Sequence, residues 1–229
     1  MSAQIEIDNQ TIPFTAGQTI MQAAAAAGIY IPHLCHHPDL PAHGSCKLCT
    51  VSVNGRNMAS CTTPAEAGQQ IGNQTPALQS LRLRLIQMLF IEGNHLCPTC
   101  EKSGHCRLQA TAYDLGMLDS HFPHFYRQHG VDSSHPDLLL DRNRCIYCSL
   151  CVRASRDLDG KGCFVMSGRG INKSLAINSP SGQLGDSAIS ANDRAVSICP
   201  TGALLPKQQG FTTPIGKRHF DTHLIRDEV

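Results

Sequence analysis

Alternating apolar and polar residues open the chain. Ile5 and Ile7 alternate with polar neighbours, Asp8-Asn9-Gln10 interrupts, and Ile12 and Phe14 resume, which predicts a β-hairpin. Thr19 to Ala27 is rich in good helix formers, and Gly28 stands where a left-handed C-terminal cap belongs. Thr50-Val51-Ser52-Val53 runs into Asn54-Gly55, a strong two-residue hairpin turn, and then into a return strand towards Cys61. Hairpin, helix and hairpin in this order predict a β-grasp domain over residues 1–75. Thr75 as N-cap and Pro76 at the first helical position begin a second helix. Leu78, Leu81, Leu85, Ile86, Leu89 and Phe90 give it one apolar face, and Gly93 is read as its C-terminal stop. A cysteine-bearing loop follows, then a short helix through Leu108 to Leu115. Residues 117–140 hold four histidines, two prolines and no clear period, so they read as a mostly irregular connector completing a segment 76–140. A compact cysteine-rich module is expected over 141–206. The tail, 207–229, is polar from Gly210 onward and is read as lying across a partner or another domain. The predicted class is α+β.

Composition narrows what holds such modules together. Apolar residues make up 41% and aromatic residues only 5%, with no Trp, so a large aromatic core is not expected. Small modules with thin cores need staples such as metals or disulfides. Nineteen Lys and Arg against 18 Asp and Glu leave a net charge of +1, which gives no reason to expect nucleic acid or an anionic membrane surface as partner. The N-terminal MSAQIEIDNQ lacks a basic region and a cleavable apolar segment, so no secretory signal is expected. Ile20 to Ile31, broken by Gln22, is too short to span a bilayer. In an unexported, cytoplasmic chain, twelve cysteines with repeated C-x-x-C pairs read as metal ligands rather than disulfides. The pairs starting at Cys46, Cys97 and Cys145 have unlike flanks, so they mark three sites and not a repeat.

The first constellation is Cys35, Cys46, Cys49 and Cys61. Four thiolates suffice for a [2Fe–2S] core, in which the close pair Cys46 and Cys49 can occupy one iron and the distant cysteines the other. A structural zinc site is the competing reading, since His33, His36, His37 and His43 are nearby, but zinc knuckles more typically use two close pairs. The run Cys145-x2-Cys148-x2-Cys151 is the most specific. In two-cluster bacterial ferredoxins it continues x3-Cys-Pro, and that cysteine serves the other cluster. Here Ser155 stands at that position, while Cys199-Pro200 recurs without a preceding triplet, which defines one [4Fe–4S] site from Cys145, Cys148, Cys151 and Cys199. The middle set, Cys97, Cys100 and Cys106, is one ligand short of a cubane. His95, two residues upstream, is preferred because a ligand loop draws on adjacent sequence, and imidazole can replace thiolate on iron. The alternatives are His105 and the unassigned Cys163, which also reads as a small buried hydrophobe beside Phe164-Val165-Met166.

In order, these sites resemble the N-terminal region of the G-type iron–sulfur subunits of respiratory NADH dehydrogenase and the front half of [FeFe] hydrogenases. Most of all they resemble the small diaphorase subunit of soluble NAD-reducing [NiFe] hydrogenases. The resemblance rests on Cys35 to Cys61, on the stretch from Glu92-Gly93-Asn94-His95-Leu96-Cys97 to Cys100-Glu101-Lys102-Ser103-Gly104, and on Arg144-Cys145-Ile146-Tyr147-Cys148 onward to Cys199-Pro200. The NADH dehydrogenase subunits and [FeFe] hydrogenases usually place the histidine four residues before its first cysteine, whereas Gly-Asn-His-x-Cys here is similar to the diaphorase subunit. The resemblance implies one [2Fe–2S] and two [4Fe–4S] clusters relaying electrons between [NiFe] hydrogenase small and large subunits and a diaphorase large subunit that binds FMN and NAD(H). FMN, NAD and the Ni–Fe centre are expected on those partners. No G-x-G-x-x-G follows a predicted strand, and cysteines run out at 199, so no substrate-converting site is expected on this chain. Alternatives are a relay subunit of NADH dehydrogenase, formate dehydrogenase or NADP-reducing hydrogenase and, from a different class, a zinc-binding scaffold.

Overall fold

The alternation at the N-terminus becomes two strands, β1 (Gln4–Ile7) and β2 (Gln10–Pro13), paired antiparallel from Gln4↔Pro13 to Ile7↔Gln10. Asp8 and Asn9 turn the chain with φ of 49° and 68°, the left-handed conformation that these two residue types tolerate best among non-glycines. The structure is a computed structural model that describes residues 3–229. Thr19 caps α1 (Ile20–Ala26) through a capping box, with Gln22 N–H donating to Thr19 Oγ1 at 3.2 Å and Thr19 N–H to Gln22 Oε1 at 2.9 Å. Gly28 follows at φ 73°, as expected. β3 (Thr50–Val53) and β4 (Arg56–Ala59) flank Asn54-Gly55, both at positive φ, as a tight two-residue hairpin requires.

One strand of this first sheet is absent from the sequence reading. β5 (Gln70–Gly72) pairs parallel with β1 and antiparallel with β3, joining the hairpins into the order β2-β1-β5-β3-β4. With only Ile71 buried, it is too short to show a period. Ile5, Ile7, Ile12, Val51 and Ile71 form the core with Ile20 and Met21 of α1, each such side chain contributing about 1.5–3 kcal/mol. Thr75 Oγ1 accepts from Leu78 N–H at the start of α2 (Pro76–Ile91). The buried stripe of α2 includes Leu78, Arg82 and Ile86, while Leu81, placed on the apolar face from sequence, is exposed. The sheet, α1 and residues to 86 make one unit with residues 111–117 and 224–229.

The second unit comprises residues 87–110 and 118–223. α3 (Arg107–Asp114) carries the short helix expected near Leu108. β6 (Leu138–Leu140) lies inside the stretch read as irregular connector. Its three leucines pair with the C-terminal end of the cysteine-rich module and bury Leu138 and Leu140 completely, an arrangement no local period could reveal. Next come α4 (Leu150–Asp157), the antiparallel pair β7 (Phe164–Ser167) and β8 (Ser174–Ile177), α5 (Arg194–Ser197), and β9 (Leu204–Pro206), the partner of β6. Ala154, Leu175, Leu184 and Val196 fill the interior between them. Among the described residues no helix is long and apolar enough to cross a membrane.

Candidate metal centres

The irregular chain between α1 and β3 folds around Cys35, Cys46 and Cys49, and Cys61 approaches from just beyond β4. Cys35, Cys49 and Cys61 are each 1% exposed. Cys46 N–H donates to Cys35 Sγ at 3.4 Å, and Cys49 Sγ lies 3.3 Å from Cys61 Sγ. The sulfurs therefore group as Cys35 with Cys46 and Cys49 with Cys61. The sequence reading places Cys46 and Cys49 on one iron; in the structure Lys47 between them takes φ 59°, and the hairpin brings Cys61 to Cys49. The Cys46 side chain, and after it the Cys46 backbone N–H, favour the charged form of Cys35, drawing it down to about 4, whereas Cys46 is pushed up by the same contact and by burial. Cys61 likewise draws Cys49 down to about 7. A metal group held by these four sulfurs would need all of them as thiolates, so its binding would release protons.

The middle set gathers around one small cavity, whose lining includes His95, Cys97, Cys100, Cys106, Phe90 and Arg144. His95 Nε2 is buried and has no hydrogen-bond partner among the described residues. A buried ring nitrogen without a partner is unfavourable in isolation, and a metal bond would satisfy it. Burial first and the Arg144 charge second hold the imidazole near a pKa of about 4, so its lone pair stays available. Gly93 was read as a helix stop, but its φ is not in the left-handed range. Its role is close approach, since a Cβ there would meet His95 Nε2 at 2.6 Å and the Asn143 carbonyl at 2.8 Å. Phe90 flanks the ring at 5.5 Å. Of the alternative ligands, His105 is exposed, and Cys163 is buried away from this lining with its N–H bonded to Ser155 Oγ at 2.8 Å.

Arg144 serves the same cavity. Its Nη1 stands 3.8 Å from Cys100 Sγ and 2.8 Å from Glu101 Oε2, and its Nε pairs with Asp141 at 3.0 Å. Sequence reasoning passed over it because an arginine beside a cysteine motif has no distinguishing period. The tail closes one side of the ligand loop: Phe220 N–H donates to the Gly104 carbonyl at 2.8 Å and Arg218 Nη1 to Ser103 Oγ at 3.1 Å.

Cys145, Cys148, Cys151 and Cys199 line a second small cavity, with Met166, Leu175 and Leu204 supplying apolar walls. Tyr147 and Ser149 both take positive φ, 52° and 61°, so the alternating residues between the cysteines bend back and Tyr147 N–H reaches Cys145 Sγ at 3.4 Å. Holding two non-glycine residues there costs about 1–3 kcal/mol each. Burial pushes the Cys145 thiol up to about 12, so a metal group held there would have to displace its proton. Ser155, where a second-cluster ligand would stand, is fully buried and anchors the loop carrying Cys163. Pro200 joins the two cavities: next to Cys199, its carbonyl accepts from Cys106 Sγ at 3.5 Å and from Arg107 N–H at 2.9 Å. Among the described residues no group of three or more His, Cys, Asp and Glu side chains is arranged around one metal ion. The sulfurs of the middle and C-terminal sets instead line the two cavities described above.

Known proteins match this layout along nearly all of the chain. Residues 2–76 match the 2Fe-2S iron-sulfur cluster binding domain, residues 82–121 the NADH-ubiquinone oxidoreductase-G iron-sulfur binding region, and residues 136–205 the ferredoxin-like domain of NADH-quinone oxidoreductase subunit 3. The gamma subunit of the NAD-reducing hydrogenase HoxS from Cupriavidus necator is 40% identical over 99% of this chain and 96% of that protein. The G-type subunit of NADH-quinone oxidoreductase from Rickettsia prowazekii is 32% identical over 90% of this chain but only 30% of its own length. A crystal structure of an NAD+-reducing [NiFe]-hydrogenase in the H2-reduced state contains a chain that is 56% identical, with a TM-score of 0.94 over 96% of this chain and 94% of that one. A mixed α/β chain with a [2Fe–2S] domain followed by [4Fe–4S] regions, matched end to end in this way, belongs to the family of NAD-reducing hydrogenase gamma subunits, relatives of the G-type subunits of NADH-quinone oxidoreductase.

Proposed function

We propose that this chain is the iron–sulfur relay subunit of a cytoplasmic NAD-reducing [NiFe] hydrogenase, carrying electrons between a hydrogenase module and an FMN- and NAD(H)-binding diaphorase subunit (H2 + NAD+ = H+ + NADH). The observation that carries it is the gathering of eleven cysteines and His95 into three separate sites on a chain that spans 96% of a gamma subunit of this kind. When bound, the clusters supply one-electron storage, which lets two-electron couples on the partners exchange electrons singly. In this reading Cys35, Cys46, Cys49 and Cys61 hold the [2Fe–2S] centre within a β-grasp domain of residues 1–75. His95, Cys97, Cys100 and Cys106 hold one [4Fe–4S] centre in a helical segment of residues 76–140. Cys145, Cys148, Cys151 and Cys199 hold the other in a ferredoxin-like domain of residues 141–206, followed by the tail 207–229. The residues exclude water from the sulfurs and hold the ligand loops; the redox chemistry is the cofactors'.

The HoxS gamma subunit is 40% identical over 99% of this chain and the respiratory relative 32% over 90%, which favours the hydrogenase reading over a respiratory one. The test is anaerobic purification of the chain with its co-purifying subunits. Expected are about ten irons per chain with matching acid-labile sulfide, nickel in the complex, and H2-dependent reduction of NAD+. A nickel-free complex would end the hydrogenase assignment, and stoichiometric zinc in place of iron would end the relay itself.

A further inference from the structure

The first half of α2 buries a charge where its stripe leads one to expect an aliphatic side chain. Arg82 is 0% exposed and sits one turn from both Leu78 and Ile86. Its Nε donates to the Leu48 carbonyl at 3.1 Å, Nη1 to the Asn73 carbonyl at 2.8 Å, and Nη2 to the Thr50 carbonyl at 2.9 Å and to Asn73 Oδ1 at 2.7 Å. Every one of these acceptors is neutral. Arginine cannot shed its proton to escape such a site, and a buried cation that no anion touches directly is unfavourable. Leu48 and Thr50 are the neighbours of Cys49, so the guanidinium straddles the backbone of that residue. Burial pulls the guanidinium pKa down, and Cys49 is the foremost charge pushing it back up, ahead of Asp8.

A [2Fe–2S] core on four thiolates is an anion, because four thiolates and two sulfides outweigh two ferric irons, and one-electron reduction adds a further negative charge. We propose that Arg82 is the buried counter-charge of the [2Fe–2S] centre, a positioning residue that ties α2 to the chain around Cys49 and raises the reduction potential by favouring the reduced state. Net charge and hydrogen bonding around a cluster are the protein's means of setting its potential. This inference rests on the reading that Cys35, Cys46, Cys49 and Cys61 hold that cluster.

The test is a redox titration followed by EPR on the anaerobically purified complex, in the wild type and with Arg82→Gln and Arg82→Lys. The Gln variant should keep its iron and sulfide. Its ratio of reduced to oxidised [2Fe–2S] at a fixed potential should fall at least tenfold, about 59 mV for a one-electron couple. The Lys variant should recover most of that shift, and both [4Fe–4S] signals should stay at their wild-type potentials. Cluster loss from the Gln variant alone would also support the counter-charge. An unchanged potential in the Gln variant, equal shifts in both variants, or loss of the cluster from both would overturn it in favour of packing alone. Absence of a [2Fe–2S] signal from the wild type would instead sink the ligand reading on which the inference stands.

Discussion

His95 owes its position to a neighbour without a side chain. Any Cβ on Gly93 would collide with Nε2, so Gly93 leaves room for the ring while Phe90 supports its other side. The imidazole is kept neutral by burial, and its buried nitrogen has no protein partner among the described residues. His95→Ala should therefore remove or alter one [4Fe–4S] EPR signal, with loss of up to about four irons, while the other two signals persist. Three unchanged signals would contradict the assignment. The cysteines were legible in sequence because thiolate spacing is a local property. The preference for His95 over His105 and Cys163 gains its support from burial and cavity lining, which depend on what folds against what. The roles of Arg144 and Arg82 were hidden for the same reason: Arg144 meets Cys100, and Arg82 the Leu48 carbonyl, across dozens of residues.

At the level of elements, local chemistry set most of the first unit. The turns at Asp8-Asn9 and Asn54-Gly55, the Thr19 capping box and the Thr75 cap all lie where residue type alone places them. Thr19→Ala removes the acceptor for Gln22 N–H and should lower stability by about 1 kcal/mol, measured by denaturant unfolding of the cluster-loaded protein, with the [2Fe–2S] spectrum retained. A change below a few tenths of a kcal/mol would show that the cap is redundant. β5 and β6 were not legible, since three-residue strands have no measurable period and exist only because a partner strand is present. The buried stripe of α2 departs from the sequence pattern because hydropathy assigns arginine to solvent, and only acceptors from elsewhere in the chain, three backbone carbonyls and Asn73 Oδ1, make its burial possible.

For the molecule as a whole, the ligand loops are its least self-sufficient parts. Cys35 to Cys49 and Cys97 to Cys106 run largely through turns and bends, and Tyr147 and Ser149 hold left-handed conformations. Metal binding of this kind is also folding free energy. Protein produced under iron starvation, or stripped by chelation, should unfold at lower temperature and be cut faster by protease within these loops than the cluster-loaded form, as differential scanning calorimetry and limited proteolysis would read. Equal melting temperatures would mean that the loops are organised without metal. The two compact units also interleave in sequence: residues 111–117 and 224–229 belong with the N-terminal unit. No boundary drawn along the chain anticipates that, because contiguity in sequence does not fix which surfaces bury one another.

The order and spacing of cysteines by themselves determined that this protein carries three iron–sulfur sites, because a cluster's demand for thiolates is met by residue type and short separations. The grouping of Cys35 with Cys46 and of Cys49 with Cys61, the place of His95 beside its cavity and the burial of Arg82 were decided only by tertiary structure. Each depends on which distant backbone and side-chain groups share one water-poor interior, where an unpaired charge or nitrogen is too unfavourable to be left alone.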